Sequence, residues 1–130
     1  EEFNVEFDGR DKKGIVFYAL GNFTCSQTKD YRNSGIIANI KLLINKEDPT
    51  KNRVDSISYT PTYIDPNDLL TGKRYRVVPL NKAIADYEAG IDPLITKAEY
   101  NLISMYKKDY KEMLEIYPYI HENEEILSLD

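Results

Sequence analysis

The chain has 130 residues, 42% hydrophobic and 30% charged, with 22 acidic against 17 basic side chains and a net charge of −5 spread along it without blocks. That length suits one domain with one core, and a net-negative chain without clustered Lys and Arg argues against nucleic acid as a partner. No run approaches the ~18 apolar residues of a membrane-spanning helix, and a single cysteine, Cys25, excludes an internal disulfide while leaving the compartment open.

Phe3, Val5 and Phe7 alternate with Asn4, Glu6 and Asp8, the period of a strand with one buried face. Asp8-Gly9 opens a polar loop through Lys13-Gly14, after which Ile15 to Phe23 is apolar on both alternating faces. That run predicts a strand covered on both sides and paired with the first as a hairpin. Gly21 and Asn22 tolerate positive φ, so the chain turns sharply there into a polar loop, Thr24 to Ser34. Loops leaving the end of a central strand are where binding groups usually sit.

Ile36, Ala38, Ile40, Leu42 and Ile44 share one face of the next strand, with Asn39 and Lys41 on the other. Asn45 to Arg53, centred on Asp48-Pro49, is a hairpin loop. Val54 to Ile64 follows as a strand with Ile57, Tyr59 and Tyr63 on one face, and Pro61 predicts a bulge, bend or unpaired edge, because it has no N–H for a ladder. A turn at Asp65-Pro66-Asn67-Asp68 leads to a short strand, Tyr75 to Val78, ended by Pro79. The period then becomes helical. Asn81 caps a short helix to Ala89 stopped by Gly90, and Thr96-Lys97-Ala98-Glu99 has capping-box spacing for a helix to about Tyr117, where Pro118 breaks it. The acidic tail to Asp130 holds enough apolar residues for a short docked turn or helix. The expected fold is α+β, an antiparallel sheet of about five strands followed by two or three helices. It forms a single domain or fragment over 1–130, with a sheet portion at 1–80 and a helical portion at 81–130.

Tyr18-Ala19-Leu20-Gly21-Asn22-Phe23, then Arg32-Asn33-Ser34-Gly35-Ile36-Ile37 and Tyr59-Thr60-Pro61-Thr62-Tyr63, resembles the C-terminal part of the bacterial capsule-synthesis family typified by CapA, the poly-gamma-glutamate capsule proteins. The resemblance covers roughly Phe3 to Leu80, with Ala19 where the family more commonly has Ser. It implies the C-terminal part of a calcineurin-like, metallophosphoesterase-type α/β sandwich. The family's metal ligands lie in an Asn-Asn-His and a His-Pro-His element before the Leu-Gly-Asn-Phe strand, so the resemblance implies that this chain holds no metal itself and that a divalent metal belongs to the longer protein. The implied partners are the missing N-terminal half, an anionic polymer or capsule-synthesis membrane proteins, with self-association as a further expectation. The implied location is the bacterial cell surface, anchored through the missing N-terminus; the composition alone is equally compatible with the cytoplasm.

No histidine pair exists for a metal site, since His121 is the only histidine and sits in an acidic tail. Cys25 has no neighbouring base and reads as a small half-buried thiol. The resemblance places Gly21, Asn22 and Phe23 at the edge of a cleft. Asn22 there either lines the cleft or satisfies backbone groups of its own turn. Ser26, Gln27 and Arg32 line the same polar loop, and the planar fork of Arg32 suits a carboxylate or phosphate, against the plainer reading of a solvent-facing loop arginine. Asp65 and Asp68 read as turn residues, Lys73-Arg74-Tyr75-Arg76 as a solvated edge strand, and the helical tyrosines as core. No catalytic residue is assigned. The rival to the capsule-synthesis reading is a noncatalytic extracellular module that binds polymer or protein.

Overall fold

The computed structural model describes residues 2–7, 9–18, 20–21, 31–66, 75–118 and 120–123. Over these the chain is α+β. Strands β1 (Glu2–Phe7) and β2 (Arg10–Ile15) form a two-stranded hairpin. The main sheet is built from β3 (Ser34–Leu43), β4 (Arg53–Asp65) and β5 (Arg76–Pro79), antiparallel in that order. Two helices follow, α1 (Leu80–Glu88) and α2 (Lys97–Leu114), and then β6 (Ile120–Glu122) returns to pair parallel with β4.

The first departure from expectation lies in the hairpin. Gly9 adopts φ 67°, and the turn is so tight that Phe7 pairs with Arg10. The polar stretch 10–14 is therefore strand instead of loop, and Ile15 is the last residue of β2. Val16 to Tyr18 lie outside any strand, Tyr18 is 79% exposed and Leu20 43%. Hence the run from Ile15 is not a central strand covered on both sides; a two-residue turn with positive φ has used its N-terminal end for a different ladder. Ile15 and Phe17 instead pack against the cluster of Ile36, Ile57, Tyr59 and Ile120.

β4 is the axis of the main sheet. One edge pairs with β3 along nearly its whole length, while the other takes β6 at Ile57 to Tyr59 and β5 at Thr62 to Asp65. Pro61 stands in the gap between β6 and β5 on that second edge, so its missing N–H costs no ladder bond. The register slips between Lys41 and Leu42, where Asp55 is the extra residue on β4.

Helix α2 begins with the expected capping box. The Thr96 hydroxyl accepts from Glu99 N–H at 3.3 Å, and the Glu99 carboxylate accepts from Thr96 N–H at 2.8 Å. Its inner stripe, with Ile103 at 0% exposure and Tyr106 buried, packs with Leu80 and Ala83 of α1, Ile95, Val78 and Tyr63. α1 is capped differently from expectation: Pro79 occupies the N-cap with no side-chain bond, and Asn81 is inside the helix. Gly90 ends it at φ 67°. After α2, Ile120 finds a place in the core beside β4 and draws its neighbours into strand pairing; the tail's Ile126, Leu127 and Leu129, expected in a short docked turn or helix, lie outside the described residues.

Candidate functional site

The motif segment meets the sheet through Leu20 and Gly21. Leu20 O accepts from Ile36 N–H at 2.7 Å, and Gly21 bridges Gly35 in antiparallel fashion. Gly21 has φ 76°, and a Cβ there would stand 2.6 Å from Ser34 O and 2.8 Å from the Gly35 Cα. Only glycine fits this approach without a backbone shift.

The other end of the polar loop is fastened to α2. Tyr31 takes the left-handed conformation, φ 63°, and its ring lies 4.5 Å from that of Tyr106. The Tyr31 N–H donates to the Tyr106 hydroxyl at 3.3 Å, which in turn donates to Asn33 Oδ1 at 3.1 Å. Asn33 is itself buried, and its carbonyl accepts from Ile64 N–H at 2.8 Å. Next to it, Ser34 Oγ donates to Thr62 O at 3.0 Å and lies 2.9 Å from the Tyr110 hydroxyl. The Tyr31 hydroxyl donates to Asp109. A non-glycine residue at positive φ costs of order 1 kcal/mol, and this network of bonds holds Tyr31 there.

The phenols titrate accordingly. The hydrogen bond to Asp109, then burial, raises Tyr31 above the ordinary tyrosine value. Burial pushes Tyr63 well up, aided by the charges of Glu99 and Asp65. Tyr110 is raised by burial and partly lowered again by Ser34. The shifts of these phenols all run away from neutral pH, so they keep their protons and donate hydrogen bonds.

Of the sequence-derived residues, Gly21 and Arg32 are brought to the same end of β3, and Arg32 is exposed there beside Tyr31. Asn22, Phe23, Ser26, Gln27 and Cys25 lie outside the described residues. His121 is exposed on β6, opposite Ser58. Two expectations are corrected. Arg76 is no solvated edge cation: its guanidinium lies 2.7 Å from Asp65 and 2.7 Å from Asp92. Asp65, 1% exposed, is no turn residue either, but the anchor of that network. Burial opposes the Arg76 charge, yet the two carboxylates outweigh it and raise its pKa.

The sequence marks Tyr106 and Tyr110 as helix core and gives Asp109 no role. Their spacing, three and four apart, shows that they share one face of α2, but not that this face meets the exit of a loop 75 positions away.

Among the described residues no group of three or more His, Cys, Asp or Glu could hold a metal ion. The acidic pair Asp65 and Asp92 already has its cation in Arg76. These residues do not fit a divalent metal, and no chemical step runs through one here. A shallow hollow of about 480 Å³ lies at the β3–β4 turn, lined by Leu43, Ile44, Lys46, Glu47, Lys51 and Arg53 among others. Among the described residues no helix is long and apolar enough to cross a membrane. Comparison with known proteins gives no matching family model, no matching curated protein and no matching solved structure.

Proposed function

We propose that this chain is the C-terminal portion of a CapA-like capsule, or poly-gamma-glutamate, biosynthesis protein at the bacterial cell surface. In this reading it is the structural half of a metallophosphoesterase-like enzyme. It contributes sheet, supporting helices and a cleft wall made by Gly21, Asn22, Phe23, Ser26 and Arg32, while upstream residues contribute the metal ligands. The observation that supports the reading is how Leu20 and Gly21, the start of the Leu-Gly-Asn-Phe motif, are held. Gly21 approaches the backbone of Ser34 and Gly35 too closely for any side chain, yet Tyr18 and Leu20 just before it keep much of their apolar surface in water. A segment fixed at Leu20 and Gly21, with Ile15 and Phe17 turned to the core and Tyr18 and Leu20 keeping apolar surface in water, suits a layer whose other neighbours come from elsewhere in the protein.

The test compares this chain with the full reading frame of its source. With added Mn²⁺, the longer protein should hydrolyse phosphate esters and the 130-residue chain should not. Robust turnover by the isolated chain overturns the division of labour, and an upstream sequence without a histidine-bearing metal element overturns the family reading.

The hollow at the β3–β4 turn favours a second reading, a noncatalytic module that binds an anionic polymer. Lys46, Lys51 and Arg53 line it with Glu47, and although Lys51 pairs with Asp48 at 3.4 Å, the lining keeps a small positive excess in a chain whose net charge is −5, which gives local attraction for carboxylates. Binding of poly-gamma-glutamate to the isolated chain, lost in a Lys46→Ala, Arg53→Ala double variant, would support it; equal binding by the variant would remove it.

A further inference from the structure

The cations of the β3–β4 hairpin are of two kinds. Lys51 lies 3.4 Å from Asp48, and Lys41, just inward on β3, lies 3.0 Å from Asp55, so both are balanced within the hairpin. Lys46 and Arg53, which line the hollow, form no ion pair among the described residues. Arg53 is also the cross-strand partner of Leu43. By alternation from Ile40 and Leu42 this pair lies on the face of the hairpin turned away from α2, so an apolar side chain and a guanidinium stand side by side there. Leu43 is 36% exposed and Ile44 62%.

The loop that carries Lys46 is fixed before any ligand arrives. Asn45 Oδ1 accepts from the N–H groups of Glu47 at 3.0 Å and Asp48 at 2.9 Å, and Asn52 Oδ1 accepts from Asn45 N–H at 2.7 Å. Asp48 Oδ1 accepts from Thr50 N–H at 3.1 Å and so caps the short helical turn Pro49–Lys51. A site whose backbone is already ordered loses less entropy on binding.

We infer that this hollow docks an acidic peptide segment of a partner protein, one that carries apolar side chains next to its carboxylates. The inference rests on the reading that the hollow attracts carboxylates, and it says which carboxylate-bearing chain fits. Two unpaired cations beside Leu43 and Ile44 call for two acids flanking apolar residues, each carboxylate meeting one cation while the apolar side chains cover the other two. A polymer with a carboxylate on every residue satisfies Lys46 and Arg53 but leaves Leu43 and Ile44 uncovered, and its further charges meet Glu47. An anionic bilayer fits less well. Glu47 and the Asp48–Lys51 pair stand at the apex of the hairpin, and neither attracts it.

Fluorescence anisotropy of the 130-residue chain with labelled Gly-Glu-Leu-Leu-Glu-Gly and Gly-Glu-Ser-Ser-Glu-Gly tests this. The leucine peptide should bind with a Kd on the order of 0.1–1 mM, as a small, shallow contact implies, and the serine peptide at least about fivefold more weakly. Ile44→Ser should remove that difference. Arg53→Ala should weaken both peptides about tenfold, whereas Leu42→Ser, on the other face of the hairpin, should change neither. All three positions are exposed, so the variants keep the fold. Equal binding of the two peptides overturns the inference and leaves the carboxylate reading standing; no binding of either peptide or of poly-gamma-glutamate overturns both. Undiminished binding by Arg53→Ala, or loss of binding in Leu42→Ser, marks unspecific apolar adsorption and overturns it too. So does tighter binding to phosphatidylglycerol vesicles than to the leucine peptide.

Discussion

At one end of the β3–β4 ladder Ile36, Tyr59 and Tyr63 lie beneath α2; at the other Ile40, Leu42 and Val54 lie in water, Leu42 being 57% exposed. Both ends alternate apolar and polar residues in the same way. They differ in what the rest of the chain can reach. A helix rises 1.5 Å per residue, and α2 is anchored by Tyr106 and Tyr110 to the loop exit at Asn33 and Ser34, so it spends its length over the Tyr63 and Tyr59 end. The hairpin end extends past it. Alternation therefore says that a face wants cover, not that it receives any.

The largest effect that would test this contrast is in the helix-covered half. Ile103→Ala should cost about 4 kcal/mol, because the site is fully enclosed and cannot collapse; chemical denaturation measures it, and a loss below 1 kcal/mol would mean that the core is not where α2 meets Tyr63. Asp65→Asn should cost about 3 kcal/mol by leaving Arg76 with one carboxylate in a buried site, read in the same way.

The tyrosines supply a pH dependence confined to that half. Tyr59 and Tyr63 have folded pKa values raised well above the ordinary value, burial being the largest cause for both. Above about pH 10 the unfolded chain loses these protons while the folded one keeps them. Their contribution is thus fully present below pH 10 and is lost as pH rises beyond it. The denaturation midpoint should fall between pH 10 and 11, and Tyr63→Phe should flatten that fall.

Smaller again is Gly21→Ala, expected at about 1–2 kcal/mol from its positive φ and the Ser34 contact. Its effect should be local, with faster amide exchange at Ile36 and little change elsewhere. The smallest belongs to the bare half: Leu42→Ala should change stability by less than about 0.5 kcal/mol, and a cost near that of Ile103→Ala would show the hairpin end to be covered in solution.

Much of the secondary structure was legible because it is local. The alternation at Ile36 to Ile44, the Ile57, Tyr59 and Tyr63 face, the Thr96 capping box and the stop at Gly90 each depend on residues within a few positions of one another. The site was half legible. A Gly-Asn corner before a polar loop points to the loop's entry, but its fastening at Tyr31 and Asn33 depends on Tyr106 and Asp109, whose positions no local rule connects to the loop.

By itself the sequence determined which stretches alternate and which repeat at helical spacing, which faces are apolar, and that residue 21 needs the freedom of glycine. Tertiary structure alone decided that Arg10–Ile15 pairs with β1, that Ile120 returns to β4, and that Arg76 lies between two aspartates. Those outcomes are competitions between distant segments for one surface or one charge, and a pattern read along the chain holds no measure of which competitor arrives.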